Sequence, residues 1–373
     1  MYLYLFYFLL DIIAKFYIFE GFGLLSFIVP VFYKDYNSFI YDRAVELINK
    51  FSNHPKIEIV IADASKNPNL IANASNIKII YTYSGDKVFS PSKARNKAAL
   101  IATGEYLFFY DVDMDYSDSF EFLLFNEIKN KLKTNQANFI AIPFLYLTKK
   151  GTSIFESKRE LKPLKNSFLL GQNDLVESIS LNSSAMVMSR DYFIKMGKFD
   201  DAFAGHGGED FHLIHRLCAY NPHSIRNVDY YEDFKTTFII NSKGFRLYMA
   251  YYSLPNFFKD LVLIHRWHPR PLSNNFYSQK PKNENLLQKK MVEFDIKFKD
   301  FIWNSSKPLI DIKSFIVNLL IENGYDPKKY IGFFSYASGV KPIKRPISNK
   351  IRKLFLKPKE FFKDIKYIGR IIK

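Results

Sequence analysis

The sequence predicts an α/β fold with a mostly parallel central sheet, followed by a helical C-terminal extension. Three observations carry that prediction. First, strand-like and helix-like segments follow in the order strand, helix, strand, strand, helix, strand over residues 24–115. Second, the strand-like segments LLSFIVPV, IEIVIA and YLFFY are continuous apolar runs, as suits strands buried on both faces. Third, these runs stop abruptly at Pro30, Asp63 and Asp111/Asp113, and in an open α/β sheet the carboxyl ends of strands gather along one ligand-binding edge.

Leu24 to Val31 opens the series as a buried strand, and Asn37 to Phe51 follows with Ile40, Ala44, Leu47 and Ile48 on one helical face. Ile57 to Ala62 and Ile77 to Tyr83 are the next two strands. Pro91 to Thr103 is a helix with Lys93, Arg95 and Lys97 near its start, stopped by Gly104. Tyr106 to Tyr110 is the fourth strand and runs into Asp111-Val112-Asp113. Ser119 to Leu132 reads as a helix and Phe139 to Leu147 as one strong apolar run. Residues 149–180 show no clean period and read as a loop-rich insertion beside a second-substrate pocket. Ser184 to Ser189 returns to strand character, Asp191 to Met196 is a short helix, and Gly205-His206-Gly207-Gly208-Glu209-Asp210 opens a further helix with Leu213, Ile214, Leu217 and Cys218 inward. Leu261 to Ile264 is a strand delivering His265-Arg266-Trp267-His268 to the same sheet edge as the other three strand ends. Residues 294–330 are mixed helical sequence. The resulting division is an apolar helix over 1–22, a main domain over 23–270 with halves 23–115 and 116–270, a helical extension over 271–340, and a basic tail over 341–373.

Composition narrows the function classes. The 373 residues are 48% apolar, enough for a sizeable core, and the formal charge of +16 implies an anionic partner: nucleotide phosphate, acidic glycan, nucleic acid or lipid headgroup. One cysteine, Cys218, makes no internal disulfide, fits a reducing compartment, and excludes zinc fingers and iron–sulfur clusters on ligand count. Met1 to Leu10 is apolar but lacks a basic leader, and Asp11, Lys15 and Glu20 interrupt it before about 18 apolar residues accumulate. That helix either packs on the domain or lies at a membrane surface.

Asp111 and Asp113 are two apart, so an extended backbone points both the same way. Neighbouring carboxylates repel and call for a cation; the alternative is a solvated turn. A metal held by Asp113 and an imidazole from His265, with phosphate oxygens completing the shell, suits Mn²⁺ or Mg²⁺ on a diphosphate. Arg95 and Lys93 are placed to neutralise the same phosphates. Asp63 is either a turn residue or part of the same edge, and His265 either a ligand or a satisfied structural histidine. In the GHGGED segment the glycines permit positive φ and close approach of a ligand. Its two acids either complement the helix dipole or provide a general base beside an acceptor-binding carboxylate.

The ordered segments IVPVFY, IADAS, SKARNKA, YLFFYDVD, MGKFDDAFAGHGGEDFHLIHRL and HRWHP resemble the GT-A glycosyltransferases of the family-2 type, and are especially similar to bacterial capsule and surface-polysaccharide transferases, including chondroitin-polymerase-like modules. The resemblance covers roughly residues 24–270. It implies a Rossmann-like nucleotide-diphospho-sugar fold and an inverting, Mn²⁺- or Mg²⁺-dependent transfer of a hexose or N-acetylhexosamine from a UDP-sugar to a growing capsule or lipooligosaccharide glycan. It also implies roles residue by residue. Pro30, Asp63, Arg95 and Asp111 would bind the nucleotide-sugar, and Asp113 with His265, or His268 as the alternative, would hold the metal. His206, Gly207, Gly208 and Glu209 would bind the acceptor, with Asp210 as base. Two positions depart from the family pattern: His206 stands where an aromatic is common, and Lys198 where a glycine is common.

The tail from Lys341 holds twelve Lys and Arg against Glu360 and Asp364, interleaved with apolar residues. It suits a helix on an anionic inner leaflet, placing the protein in the cytoplasm and peripheral at the inner membrane, or a helix docked on the protein's own surface. A sugar-nucleotide nucleotidyltransferase would want a glycine-rich loop where Pro30-Val31-Phe32-Tyr33 stands. A non-enzymatic basic membrane- or nucleic-acid-binding protein is a further alternative, but no nucleic-acid module is recognisable and nucleic acid is not an expected partner.

Overall fold

The computed structural model describes residues 24–35, 38–268, 275–299, 303–342 and 354. The helix expected over 1–22 and nearly all of the expected tail lie outside the described residues.

The chain begins with β1 (Leu25–Val31), wholly buried, and α1 (Phe39–Phe51), capped by the Ser38 hydroxyl, which accepts from the Ile40 amide. β2 (Ile57–Asp63) and β3 (Ile77–Tyr81) follow, then α2 (Pro91–Ile101), whose Ser90 cap and leading proline set its start. β4 (Tyr106–Phe109) leads into the two-residue β5 (Met114–Asp115) and α3 (Phe120–Glu127), which continues into a π-helical turn over Ile128–Leu132. Then come β6 (Phe139–Ala141), β7 (Phe144–Leu147), α4 (Lys149–Lys158), α5 (Lys162–Leu169), β8 (Val176–Ser180), β9 (Met186–Ser189) and α6 (Arg190–Lys195). The remainder comprises α7 (Glu209–Tyr220), the ribbon of β10 (Asp233–Phe234) and β11 (Lys243–Gly244), α8 (Phe245–Phe258), β12 (Leu263–His265), α9 (Asn275–Ser278), α10 (Lys280–Lys297) and α11 (Ile312–Glu322).

The central sheet has the order β3-β2-β1-β4-β9-β6. β1 pairs in parallel with β2 and β4, and β2 with β3. β9 runs against both β4 and β6, so the sheet is mixed while its other strands share one direction. Successive residues of β4 face opposite sides. Phe108 joins the core beneath α1 and α3 with Phe27, Phe51 and Phe120, and Phe109 joins the core beneath α2, α6 and α7 with Phe193, Phe199 and Leu217. Leu287 and Met291 of α10 belong to this second core.

A second sheet, β5-β12-β7-β8, packs against α4, α5, α8 and α11 through Leu145, Phe155, Leu164, Leu254, Ile316 and Leu320. Two expectations change here, and one apolar run resolves into parts. Phe139 to Leu147 forms two strands: the chain breaks at Ile142-Pro143, where proline offers no amide to a ladder, and its two halves enter different sheets. Residues 149–180 are ordered structure, namely α4, α5 and β8, rather than a loop-rich insertion. β12 lies in the second sheet, so His265 reaches the site from there and not from the edge of the central sheet.

Candidate active site

The carboxyl ends of β1 and β4, the start of α2, the loop before α7 and the end of β12 enclose a cavity of about 720 Å³. Pro30, Arg95, Asp111, Asp113, His206, Gly207, Gly208, Glu209, Asp210, His265 and His268 all line it.

At one end lies a three-residue cluster. β5 pairs antiparallel with β12, setting Met114 opposite His265 and bringing the preceding Asp113 beside that imidazole. The Asp113 Oδ2 atom lies 3.2 Å from His265 Nε2 and 3.6 Å from His268 Nε2. One ligand atom from each residue lies within 4.8 Å of the others. The His268 ring stacks on Phe39 at 4.3 Å, and the His265 ring lies 4.5 Å from Tyr146, so packing fixes both imidazoles. Burial pushes the Asp113 carboxyl up, but the two imidazoles outweigh it and hold the group well below the usual carboxylate range. An ionised carboxylate and two imidazoles form a nitrogen-and-oxygen donor set that fits a divalent ion of the Mn²⁺ kind.

Asp111 plays a different part. Its carbonyl accepts from the Met114 amide at 3.0 Å, so residues 111–114 form a turn rather than the extended pair expected, and its carboxylate departs from that of Asp113. Asp111 Oδ1 accepts from Arg95 at 2.7 Å and Oδ2 from the Ser184 hydroxyl at 2.9 Å. The other arm of the Arg95 guanidinium donates to Glu209 Oε1 at 3.0 Å. Arg95 is buried and thus braces the turn after β4 against the first residue of α7. Lys93 points elsewhere and pairs with Asp86 at 3.0 Å. Asp63 is fully buried, accepting from the Tyr33 hydroxyl and the Ser65 amide at 2.9 Å each; Tyr33 lines the cavity and Asp63 does not.

The glycine-rich loop is tied down on both sides. Gly205 donates to Phe89 O at 2.8 Å, His206 donates to Phe276 O at 2.9 Å, and the Asn283 side chain donates to the carbonyls of Ala204 and His206. Gly208 has φ +103°, and a Cβ there would lie 2.6 Å from the Phe203 ring. Gly207, at φ +81°, faces open space. His206 meets Phe276 and Tyr277, giving the loop an aromatic flank despite the histidine. Glu209 Oε2 is buried without a hydrogen-bond partner. Burial and the charge of Asp210 outweigh Arg95 and push the Glu209 carboxyl up to about 7. Asp210 is half-buried and accepts from the Phe211 amide at 2.8 Å.

This arrangement places the Asp113, His265 and His268 cluster and the Glu209, Asp210 pair in one cavity, with the buried Arg95 bridging Asp111 to Glu209. By sequence, residues 26–293 match the family described as glycosyltransferase like family 2. The chain belongs to that family. The α/β architecture with its mixed sheet is the one the GT-A resemblance implied. No curated protein matches this family member. Solved structures similar to it include GalNAc-T7 crystallised with UDP, GalNAc and Mn²⁺, at TM-score 0.38 and 12% identity over 83% of this chain and 58% of that one. S. aureus TarS residues 1–349 follows at TM-score 0.33 and 17% identity, over 52% of this chain and 55% of that one. The family member therefore spans little more than half the length of these structures.

Sequence reasoning missed Ser184, Phe39 and Tyr146, which hold the acid and the imidazoles, and Lys235, Arg246 and Lys280, which line the cavity near the loop. None sits in a recognisable motif.

Proposed function

We propose that the chain is a divalent-metal-dependent, inverting glycosyltransferase that moves a hexose or N-acetylhexosamine from a UDP-sugar to a hydroxyl of a growing surface glycan. The observation that carries this reading is that the Asp113, His265 and His268 cluster and the Glu209, Asp210 pair line the same cavity.

Asp113, His265 and His268 would hold the ion, which when bound supplies charge stabilisation for a departing diphosphate. Asp111, oriented by Arg95 and Ser184, faces the ribose. Pro30 and Tyr33 line the same cavity, with Asp63 fixing the tyrosine hydroxyl. Glu209 binds an acceptor hydroxyl, and Asp210 takes the proton of the attacking one. The acceptor oxygen forms its bond to the anomeric carbon as the bond from that carbon to the diphosphate breaks on the opposite face, so the configuration inverts.

The test is a screen of UDP-sugars for Mn²⁺-dependent turnover and thermal stabilisation, run beside Asp210→Asn. A general base contributes ~10²–10⁴-fold, so the variant should lose turnover by that factor and still bind nucleotide with Mn²⁺. Wild-type turnover in the variant would refute the base assignment, and no response to any UDP-sugar would refute the donor class. The same reading puts the enzyme at the cytoplasmic face of the inner membrane through residues 341–373. Liposome flotation of a chain ending near Lys341 tests that part, and undiminished binding would remove it.

A further inference from the structure

The cavity wall beyond Asp210 is unevenly charged. Lys235 follows the β10 strand, Arg246 lies in the first turn of α8, and Lys280 is the first residue of α10; all three line the cavity. Geometry ties each to the loop over 205–211: the Arg246 guanidinium lies 4.2 Å from the Phe211 ring centroid, Lys235 is two residues from Asp233, which pairs with Arg246, and Lys280 follows Gln279, whose side chain a Cβ on Gly205 would meet at 2.7 Å. Two have carboxylate partners. Arg246 engages Asp233 through Nε and a terminal nitrogen, and Lys280 lies 3.4 Å from Glu284. Among the described residues no carboxylate pairs with Lys235. Crowding by the cavity wall and the charges of Arg246 and Lys280, only partly offset by Asp233, push its ammonium down, although the side chain keeps its access to solvent. A solvated cation in a cleft wall beside two like charges makes the local potential positive and draws an anion into the cleft.

The position of that anion follows from the rest of the site. Donor phosphates belong beside Asp113, His265 and His268, where the ion would sit. Lys280 instead follows Gln279, whose side chain abuts Gly205, and Lys235 lies two residues from Asp233, the partner of the Arg246 guanidinium that covers Phe211, so both flank the loop that carries Glu209 and Asp210. We propose that the acceptor unit carries an anionic group, a carboxylate or a phosphate, recognised by Lys235 and Lys280. This rests on the glycosyltransferase reading and adds to it the chemical class of acceptor. Arg246, already paired with Asp233, contributes charge and not a free donor pair. Its guanidinium lies over the Phe211 ring at 4.2 Å, next to Asp210, which keeps it in place as the anion docks.

The experiment measures sugar binding to the full chain saturated with Mn²⁺ and whichever of UDP, GDP or CDP stabilises it best. The probes are methyl β-glucuronide, glucose 6-phosphate and methyl β-glucoside, compared in the wild type, Lys235→Gln and Lys280→Gln. A charge-assisted hydrogen bond is worth about tenfold in affinity, so at least one anionic probe should bind about tenfold tighter than the neutral glucoside. That preference should vanish in Lys235→Gln and weaken in Lys280→Gln, with nucleotide affinity unchanged in both. The better of the two anionic probes separates carboxylate from phosphate. Equal binding of neutral and anionic probes, or no binding of either anionic probe, would overturn the proposal. So would variants that weaken the nucleotide instead of the sugar, which would assign these lysines to the donor diphosphate. Failure of every nucleoside diphosphate to bind with Mn²⁺ would instead refute the parent reading, an outcome distinct from all of these.

Discussion

Glu209 is buried and Asp113 half-buried in one cavity, and their neighbours drive the two carboxylates in opposite directions. Two imidazoles keep Asp113 ionised far into acid. Asparagine at that position would keep the shape and lose the charge. Mn²⁺ affinity, measured by calorimetry, should then fall by more than the roughly 10–100-fold that loss of an outer-shell partner costs. Glu209 behaves otherwise, since burial and Asp210 raise it to about 7. Folded, it holds a proton more tightly than in the unfolded chain, so between about pH 4.5 and pH 7 the native state binds the extra proton. Its contribution to stability is therefore fully present below the unfolded value and is lost as pH rises through 7. Thermal unfolding of the wild type should show that decline, and Glu209→Gln, which has no proton to lose, should flatten it. A decline of equal slope in the variant would mean that another group titrates there. The apparent midpoint belongs to the Glu209 and Asp210 pair, because the two charges interact.

Among the elements, the glycine-rich loop shows how local backbone sets the site. Gly207 and Gly208 both have positive φ, but their surroundings differ. Alanine at 207 meets open space and should cost only the backbone penalty, about 1–2 kcal/mol. Alanine at 208 adds a collision with the buried Phe203 ring and should cost clearly more, read as a lower urea midpoint. Equal losses would show that the ring yields. The elements also differ in how openly the sequence displays them. β1, β2 and β4 are legible because strands buried on both faces must be continuously apolar. α5 hid in plain composition: Leu164 and Phe168 have helical spacing and Pro163 marks the start, but Lys162, Lys165 and Asn166 between them masked the stripe. α4 buries Phe155 with only Gly151 and Thr152 beside it, which leaves no apolar period to find. The two-residue β5 is too short to have a pattern at all, yet its pairing with β12 places His265.

At the scale of the whole molecule, the acids, the histidines and the arginine of the site were legible as residue types, and their joining was not. Arg95 and Glu209 are 114 residues apart, and no local pattern announces that one guanidinium bridges Asp111 and Glu209. The sequence placed Arg95 on phosphate, whereas both of its arms are engaged by carboxylates. The same holds for α10. Beyond contributing Leu287 and Met291 to the core shared with the central sheet, it carries Asp295, on which several elements converge. Asp295 Oδ1 accepts from Trp303 at 2.8 Å and lies 3.1 Å from His215 Nε2; Oδ2 accepts from Arg226 and Tyr231 at 2.6 Å each. His215 belongs to α7, the helix that begins with Glu209 and Asp210. Asp295 thus fastens the helix bearing Lys280 to the helix bearing both acids. Alanine at 295 would leave a half-buried arginine and a buried imidazole without their shared acceptor, and breaking a buried pair costs about 3–5 kcal/mol. His215 and the other donors hold the Asp295 carboxyl well below its usual range, so its stabilisation is present above the unfolded carboxylate value and fades as pH falls through the folded one. Urea denaturation should therefore give a large gap between wild type and Asp295→Ala at neutral pH that narrows toward acid. A gap under about 1 kcal/mol at neutral pH, the size of an exposed ion pair, would mean that α10 is held by its apolar face alone.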